Sequence, residues 1–314
     1  VTGDAVDSIS IVPDGALVFG VQLPVQALSR VIAAPWEMEA GVPEMVRAAQ
    51  AADRAGFFYI ACCDHVVIPE AYADAMSTMW ANPIATLGYL AALTERVHLM
   101  SNVYVAPFRP PLDTAKQFLT LDWLSGGRVI LGVGAGHVEG EFERLGIPFA
   151  DRGKLLDTAI DEIRAAWGAE FVDGLGMRPR PVQRPRPPIW IGGSKPPALR
   201  RVAERGDGWI PQGSPRAEMP GLLDRVRARR DEVRPDARLD LGVITEWTYV
   251  GDAGWDLPDD TLTGSPEQIA ESFNGYGAMG VSHLQVRFRA RSIDELCEQL
   301  ERFGTEVGPL LGRP

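Results

Sequence analysis

Asp64 and His65 follow directly on the apolar run "FFYIACC" (57 to 63), in the stretch "YIACCDHVVIPEAY", and no polar sequence prepares the change. An imidazole titrates near neutral pH, so a histidine beside a carboxylate is suited to giving or taking a proton, with the acid supplying a hydrogen bond or a charge. The competing reading of His65 is a satisfied structural histidine that closes a strand. His137 follows the glycine-rich run "LGVGAG" (131 to 136) and is the second acid or base candidate, its competing role being an exposed residue that opens an insertion.

What must position these residues is an alternation of short apolar runs and amphipathic helices. The runs are 17 to 24, 57 to 63, 97 to 107, 128 to 136, 188 to 193, 206 to 212, 239 to 250 and 283 to 288, eight in all. Between them lie helical patterns such as Leu155, Leu156, Ala159, Ile160, Ile163 and Trp167, which keep one face apolar. Two helices announce their starts with capping boxes, Ser265 with Gln268 and Ser292 with Glu295. Eight buried strands separated by helices predict a closed (β/α)8 TIM barrel, with a doubly wound open sheet as the alternative. The chain is expected to be one domain over 1 to 314, with an N-terminal extension at 1 to 16 and rim insertions at 64 to 82 and 137 to 151. The run "RPRPVQRPRPP" (178 to 188) reads as a stiff connector into the fifth strand.

In such a barrel the chemistry sits at the C-terminal ends of the strands. Those ends carry Gln22, Asp64 with His65, Ser101 with Asn102 and Tyr104, Gly134 to His137, Gly192 to Ser194, and Gln212. His98 and His283 fall near strand starts, so they belong to the opposite end. The glycines at 132, 134 and 136 do not satisfy G-x-G-x-x-G, which argues against a Rossmann site. They permit close approach of a flat or anionic ligand instead. "IWIGGSKPPALRRVAE" reads as an anion site at a helix start with free N–H groups. Tyr72, Met76, Met79 and Trp80 suggest an apolar roof; Gln22, Trp80 and Tyr104 are the substrate-pocket candidates.

With 46% hydrophobic and 23% charged residues the chain is of ordinary globular composition, and a net charge of −11 argues against a nucleic-acid partner. The basic run Arg225 to Arg234 reads as a solvated helix face. Three cysteines, two adjacent in a strand, form no disulfide framework and no spaced metal set, and no HExxH or paired Cys-x-x-Cys occurs, so no metal is expected. No basic leader with an apolar core and no eighteen-residue apolar stretch is present, which predicts a cytoplasmic protein without a membrane partner. The expected partner is a small-molecule substrate; a homodimer is left open.

The segments "ADRAGFFYIACCDH", "LDWLSGGRVILGVGAGHVEGEFERLGIPFADRG" and "PVQRPRPPIWIGGSKPPALRRVAERGDGWIP" resemble the luciferase-like monooxygenase superfamily, and within it the branch that uses the deazaflavin coenzyme F420. The resemblance implies a flavin or deazaflavin across the C-terminal rim, with Asp64 and His65 as the cofactor and proton-transfer position. It implies a non-prolyl cis peptide between Asn102 and Val103 that backs the ring. Gly134, Ala135 and Gly136, with Ile191, Gly192 and Gly193, would hold the cofactor's tail and phosphate. Where sugar-phosphate dehydrogenases of this branch have G-x-G-E, this chain has Gly134-Ala135-Gly136-His137, so sugar-phosphate oxidation by that glutamate is not expected. The implied activity is hydride transfer between F420 and an organic substrate, with the accompanying proton moved by His65. The alternatives are an FMN- and oxygen-dependent monooxygenase, a non-catalytic flavin-binding barrel and, weaker, a metal-dependent lyase.

Overall fold

Each of the eight apolar runs forms one parallel strand: β1 Val18–Gln22, β2 Tyr59–Cys62, β3 His98–Ser101, β4 Val129–Gly134, β5 Ile189–Gly192, β6 Gly208–Ile210, β7 Asp240–Val250 and β8 His283–Phe288. The computed structural model describes residues 9 to 312. Pairing runs in order from β1 to β8, and β8 pairs back onto β1, so the sheet closes into a (β/α)8 TIM barrel rather than an open sheet. Closure leaves no edge among these eight strands. A further parallel strand, Thr261–Gly264, pairs with the C-terminal part of β7. Beyond β3 the chain pairs with β4 again through Tyr104 and Val105.

Among the described residues one longer helix follows each strand, α1 Val42–Arg54, α2 Pro83–Ala91, α3 Pro111–Ser125, α4 Arg152–Gly168, α5 Pro196–Arg205, α6 Met219–Val233, α7 Pro266–Ala278 and α8 Ile293–Arg302, and short helices at Ala73–Met76 and Glu139–Arg144 lie in the rim segments. Asn82 starts α2 by accepting from the Ile84 and Ala85 amides. The box at Ser265 is complete, its hydroxyl accepting from the Gln268 N–H and the Gln268 side chain accepting from the Ser265 N–H. At Ser292 only the forward bond forms. Glu295 turns instead to Arg291, Tyr249 and Trp255.

Apolar residues on the outer strand faces pack against the helices, while a second cluster of Tyr59, Ala61, Met100, Ile130, Trp190 and Ile210 fills the barrel interior. Rings fill its lower layer because glycines stand opposite them. A Cβ on Gly208 would lie 2.4 Å from Trp190, and one on Gly242 would lie 2.1 Å from His283. His283 stacks on Trp190 with ring centroids 4.1 Å apart and bonds to the Trp209 carbonyl through Nε2, which confirms its place away from the rim.

Complete burial lowers the His283 pKa to about 3, against the pull of backbone hydrogen bonds. A base depressed in the folded state contributes stability that is fully present above its unfolded value near 6.5 and is lost as pH falls toward 3. Thermal melts are expected to show about 3 kcal/mol lost from this group between pH 7 and pH 4. The His283→Phe variant should lose that component of the acid sensitivity; an unchanged pH profile would remove His283 from the explanation.

Of the predicted N-terminal extension 1 to 16, residues 1 to 8 lie outside the described residues. The remainder is part of the barrel's base. Val12 joins the interior cluster, and Ser10 and the Ile11 amide bond to Asp240, whose pKa burial pushes up to about 6. The connector 178 to 188 contains two cis X–Pro bonds, at Arg178–Pro179 and Arg184–Pro185. It is tied down where Val182 and Gln183 donate to Asp122. Expectation and structure differ at the basic run. Arg230 on α6 is 4% exposed and donates to the carbonyls of Ala203, Gly206 and Ala237, and Arg227 reaches the Met279 carbonyl. This helix face is therefore not simply solvated, because a planar guanidinium can satisfy several chain-end carbonyls at once.

Candidate active site

At the C-terminal mouth, the peptide between Asn102 and Val103 is cis, as the resemblance implied. The Asn102 amide donates to Gln285 Oε1 at 2.6 Å, and Gln285 makes a longer contact of 3.5 Å with Gln22 Oε1. Three amides from β1, the end of β3 and β8 thus form a polar layer above the apolar interior. Asn102 Oδ1 is buried and has no hydrogen-bond partner.

Val103 stands beside this layer, half-buried, between the ends of β4 and β5. A Cβ on either Gly134 or Gly192 would come within 2.5 Å of its methyl groups. The glycines expected to admit a ligand therefore first admit Val103, and any flat ligand would meet the valine as part of the floor. Gly136 is fixed twice over: its φ is +79°, and a Cβ there would lie 2.8 Å from both Phe142 and Val105.

Asp64 is buried, and its carboxylate is already engaged. It takes both ends of the Arg109 guanidinium, at 2.5 and 2.9 Å, and the Val105 amide at 2.9 Å. Through these bonds it fixes the chain just beyond Val103, so its position in the structure is beneath the site, holding it. Arg109 in turn stacks over the Tyr104 ring, 4.3 Å from its centroid.

His65 stands at the rim with its Nδ1 2.7 Å from Glu141 Oε2. Glu141 is 1% exposed, and its other oxygen accepts from the amides of Val66 and Val67. With Glu141 as acceptor, Nδ1 carries the proton and Nε2 faces away as the exchangeable atom. The Trp80 ring packs edge-on against His65 at 4.3 Å, held by bonds from its Nε1 to the Met76 and Ser77 carbonyls. His137 lies 5.6 Å from His65, centroid to centroid. Desolvation at the rim, joined by repulsion from His65, lowers its pKa from the ordinary histidine value, and Glu141 opposes the shift.

Sequence expectation and geometry part at two places. Tyr104, expected in the substrate pocket, is fully buried against α3, where its hydroxyl bonds to Gln117 and its ring meets Phe118 edge-on. It lies on the outer side of the barrel wall because successive residues along a strand point to opposite faces, and Val103 takes the inner one. At the start of α5, Pro196 and Pro197 occupy the first turn and carry no N–H, so the expected free amides of that helix are missing. The Ser194 hydroxyl, next to Ile191–Gly193, accepts from Ser214 and from the Gln212 amide, tying the ends of β5 and β6 together.

Cys62 and Cys63 stay below the rim. The Cys62 thiol and the Cys63 amide both bond to Gln26, and burial pushes the Cys63 thiol up to about 11, so it remains protonated at neutral pH. Among the described residues no group of three or more His, Cys, Asp and Glu is placed to hold a metal ion, and no helix is long and apolar enough to cross a membrane.

Comparison with known proteins gives a family match over residues 19–253, to the model described as luciferase-like monooxygenase. An uncharacterized protein of Mycobacterium tuberculosis is 34% identical over 220 residues, 67% of this chain and 74% of that protein. The FMNH2-dependent dimethylsulfone monooxygenase of Pseudomonas putida is 28% identical over 152 residues, 45% of this chain and 42% of the relative. Among solved structures, the coenzyme F420-dependent tetrahydromethanopterin reductase of Methanopyrus kandleri superimposes with a TM-score of 0.71 at 18% identity, covering 94% of this chain and 99% of that one.

Proposed function

From the premise that this chain belongs to the luciferase-like monooxygenase family, we propose that it is an oxidoreductase using the deazaflavin coenzyme F420 to reduce or oxidise a small organic molecule. The observation that carries the reading is His65, clamped through Nδ1 by buried Glu141 at the same rim as the cis Asn102–Val103 floor. Two features of the floor suit a flavin-type ring: Val103 makes it half apolar, and Asn102 Oδ1 is a buried acceptor without a hydrogen-bond partner. Asn102 and Val103 would hold the ring, with Gly134 and Gly192 letting the ends of β4 and β5 close on Val103 from either side.

When bound, the deazaflavin supplies a two-electron carrier that gives or takes hydride at its C5. His65 contributes the proton that accompanies it, from Nε2, while Glu141 holds the tautomer and the ring orientation. Hydride and proton together add or remove two hydrogens, so no further reductant is needed. His137, kept neutral by its surroundings near pH 7, is the second group able to accept a proton. Trp80 shields one side of His65 from water.

A second reading, FMN with oxygen, has the support of the sequence likeness to the Pseudomonas putida monooxygenase. Separate fluorescence titrations with F420 and FMN distinguish them. The expected result is saturable F420 binding in the micromolar range or tighter, and FMN at least tenfold weaker. Tight FMN binding with no response to F420 would replace the first reading by the second.

A further inference from the structure

The substrate itself leaves a trace beside this floor. Between the C-terminal ends of β1, β7 and β8 lies a cavity of about 80 Å³, whose walls include Gln22, Trp36, Glu37, Trp247, Arg287 and Leu296. That is roughly the space of two or three waters, enough for the polar head of a small molecule. Gln22 belongs both to this wall and to the amide layer with Gln285 and Asn102. The cavity is thus adjacent to the place where the ring would lie.

Its donors exceed its acceptors. Arg287 extends from β8 on the same face as Gln285, two residues before it. It spends Nε on the Thr245 carbonyl at 2.8 Å and lies 4.9 Å from the Trp247 ring centroid. Among the described residues it has no carboxylate within ion-pair distance and no acceptor for its two terminal nitrogens. The neighbouring Arg289, in contrast, pairs with Asp260 at 2.8 Å. Trp36 Nε1 is also buried without an acceptor. Glu37, the one acid in the wall, has both oxygens occupied by the Val25 and Ala34 amides at 2.7 Å. The remaining surface, Leu23, Ile32, Phe288 and Leu296 among it, is apolar. A partly buried guanidinium whose two terminal nitrogens have no protein acceptor, and which Glu246 and Asp260 reach only through space, can receive a carboxylate, because its fork matches one.

We infer that this cavity binds the anionic head of the substrate, with Arg287 pairing to a carboxylate or sulfonate and Trp36 Nε1 donating a further hydrogen bond, so that the substrate class is a small organic acid with an apolar body. As a statement about substrate it rests on the mouth being the cofactor site; as a statement about binding it stands alone.

The test uses the whole protein without cofactor. Calorimetric titration with hexanoate is expected to show saturable binding, and hexanamide, the uncharged counterpart, to bind at least about tenfold more weakly. Arg287→Met should lose at least tenfold of the hexanoate affinity and abolish the preference. Arg287→Lys, which keeps the charge but not the fork, should retain an intermediate affinity, and Trp36→Phe should lose a few-fold. Melting temperatures establish that each variant is folded, and the acid-to-amide comparison on the unaltered protein depends on no variant. Equal binding of acid and amide, absence of hexanoate binding, or full hexanoate affinity in folded Arg287→Met would overturn the proposal. Failure of F420 to bind would leave this measurement untouched, so the two readings fail separately.

Discussion

Replacing His65 with alanine is expected to lower turnover by about a hundredfold or more while leaving cofactor affinity within a few-fold of the parent. The asymmetry follows from position. His65 meets Glu141 through one nitrogen and Trp80 and His137 through its ring edges, so its loss removes a proton carrier and leaves the Asn102–Val103 floor intact. Glu141→Gln provides the companion experiment. An amide still occupies the space and still accepts from the Val66 amide, but it no longer presents a carboxylate oxygen to His65 Nδ1. Turnover should fall, but by less than in His65→Ala. Comparable turnover in His65→Ala and the parent would show that His65 does not carry the proton.

Asp64→Ala is the second large effect, and it acts on stability. Among the described residues the Asp64 carboxylate is the only hydrogen-bond acceptor for the Arg109 guanidinium, and it also accepts from the Val105 amide. Removing it strands a half-buried cation over the Tyr104 ring, a change of about 3 kcal/mol when one partner of a buried pair is deleted. At this chain length that corresponds to a melting temperature lower by roughly 4–5 °C. Because Val105 is two residues from Val103, cofactor affinity should fall together with stability. A variant that melts like the parent would show that Asp64 does not hold the strand end, and would restore it as a direct cofactor contact.

The strands were legible because a parallel barrel buries both faces of its sheet, leaving short apolar runs at regular intervals. His65 and His137 were legible as rim residues for the same reason: polar residues at strand ends have few places to go. Glu141 was not. In "GHVEGEFERLG" it is one of several glutamates on a short helix, and nothing local distinguishes the buried one from its solvated neighbours. Its spacing of four from His137 was the available signal. Gln285 and Arg287 sit inside "HLQVRF", which reads as an apolar run, but polar residues at 283, 285 and 287 alternate with Leu284, Val286 and Phe288 and so mark an inward polar face. Tyr104 failed for the converse reason, since a strand end gives the position of a residue along the barrel but not the side of the wall on which it lies. The two prolines opening α5 carry the opposite signal to the glycines before them, because a helix that starts with proline lacks the donors an anion needs.

The measurement that tests the central claim most directly is a crystal structure of the protein with F420 bound. The deazaflavin ring is expected to lie against Val103 and the Asn102–Val103 peptide, with His65 Nε2 and the Arg287 cavity on the side left open to substrate. A ring bound elsewhere, or F420 absent from the barrel mouth at saturating concentration, would contradict it.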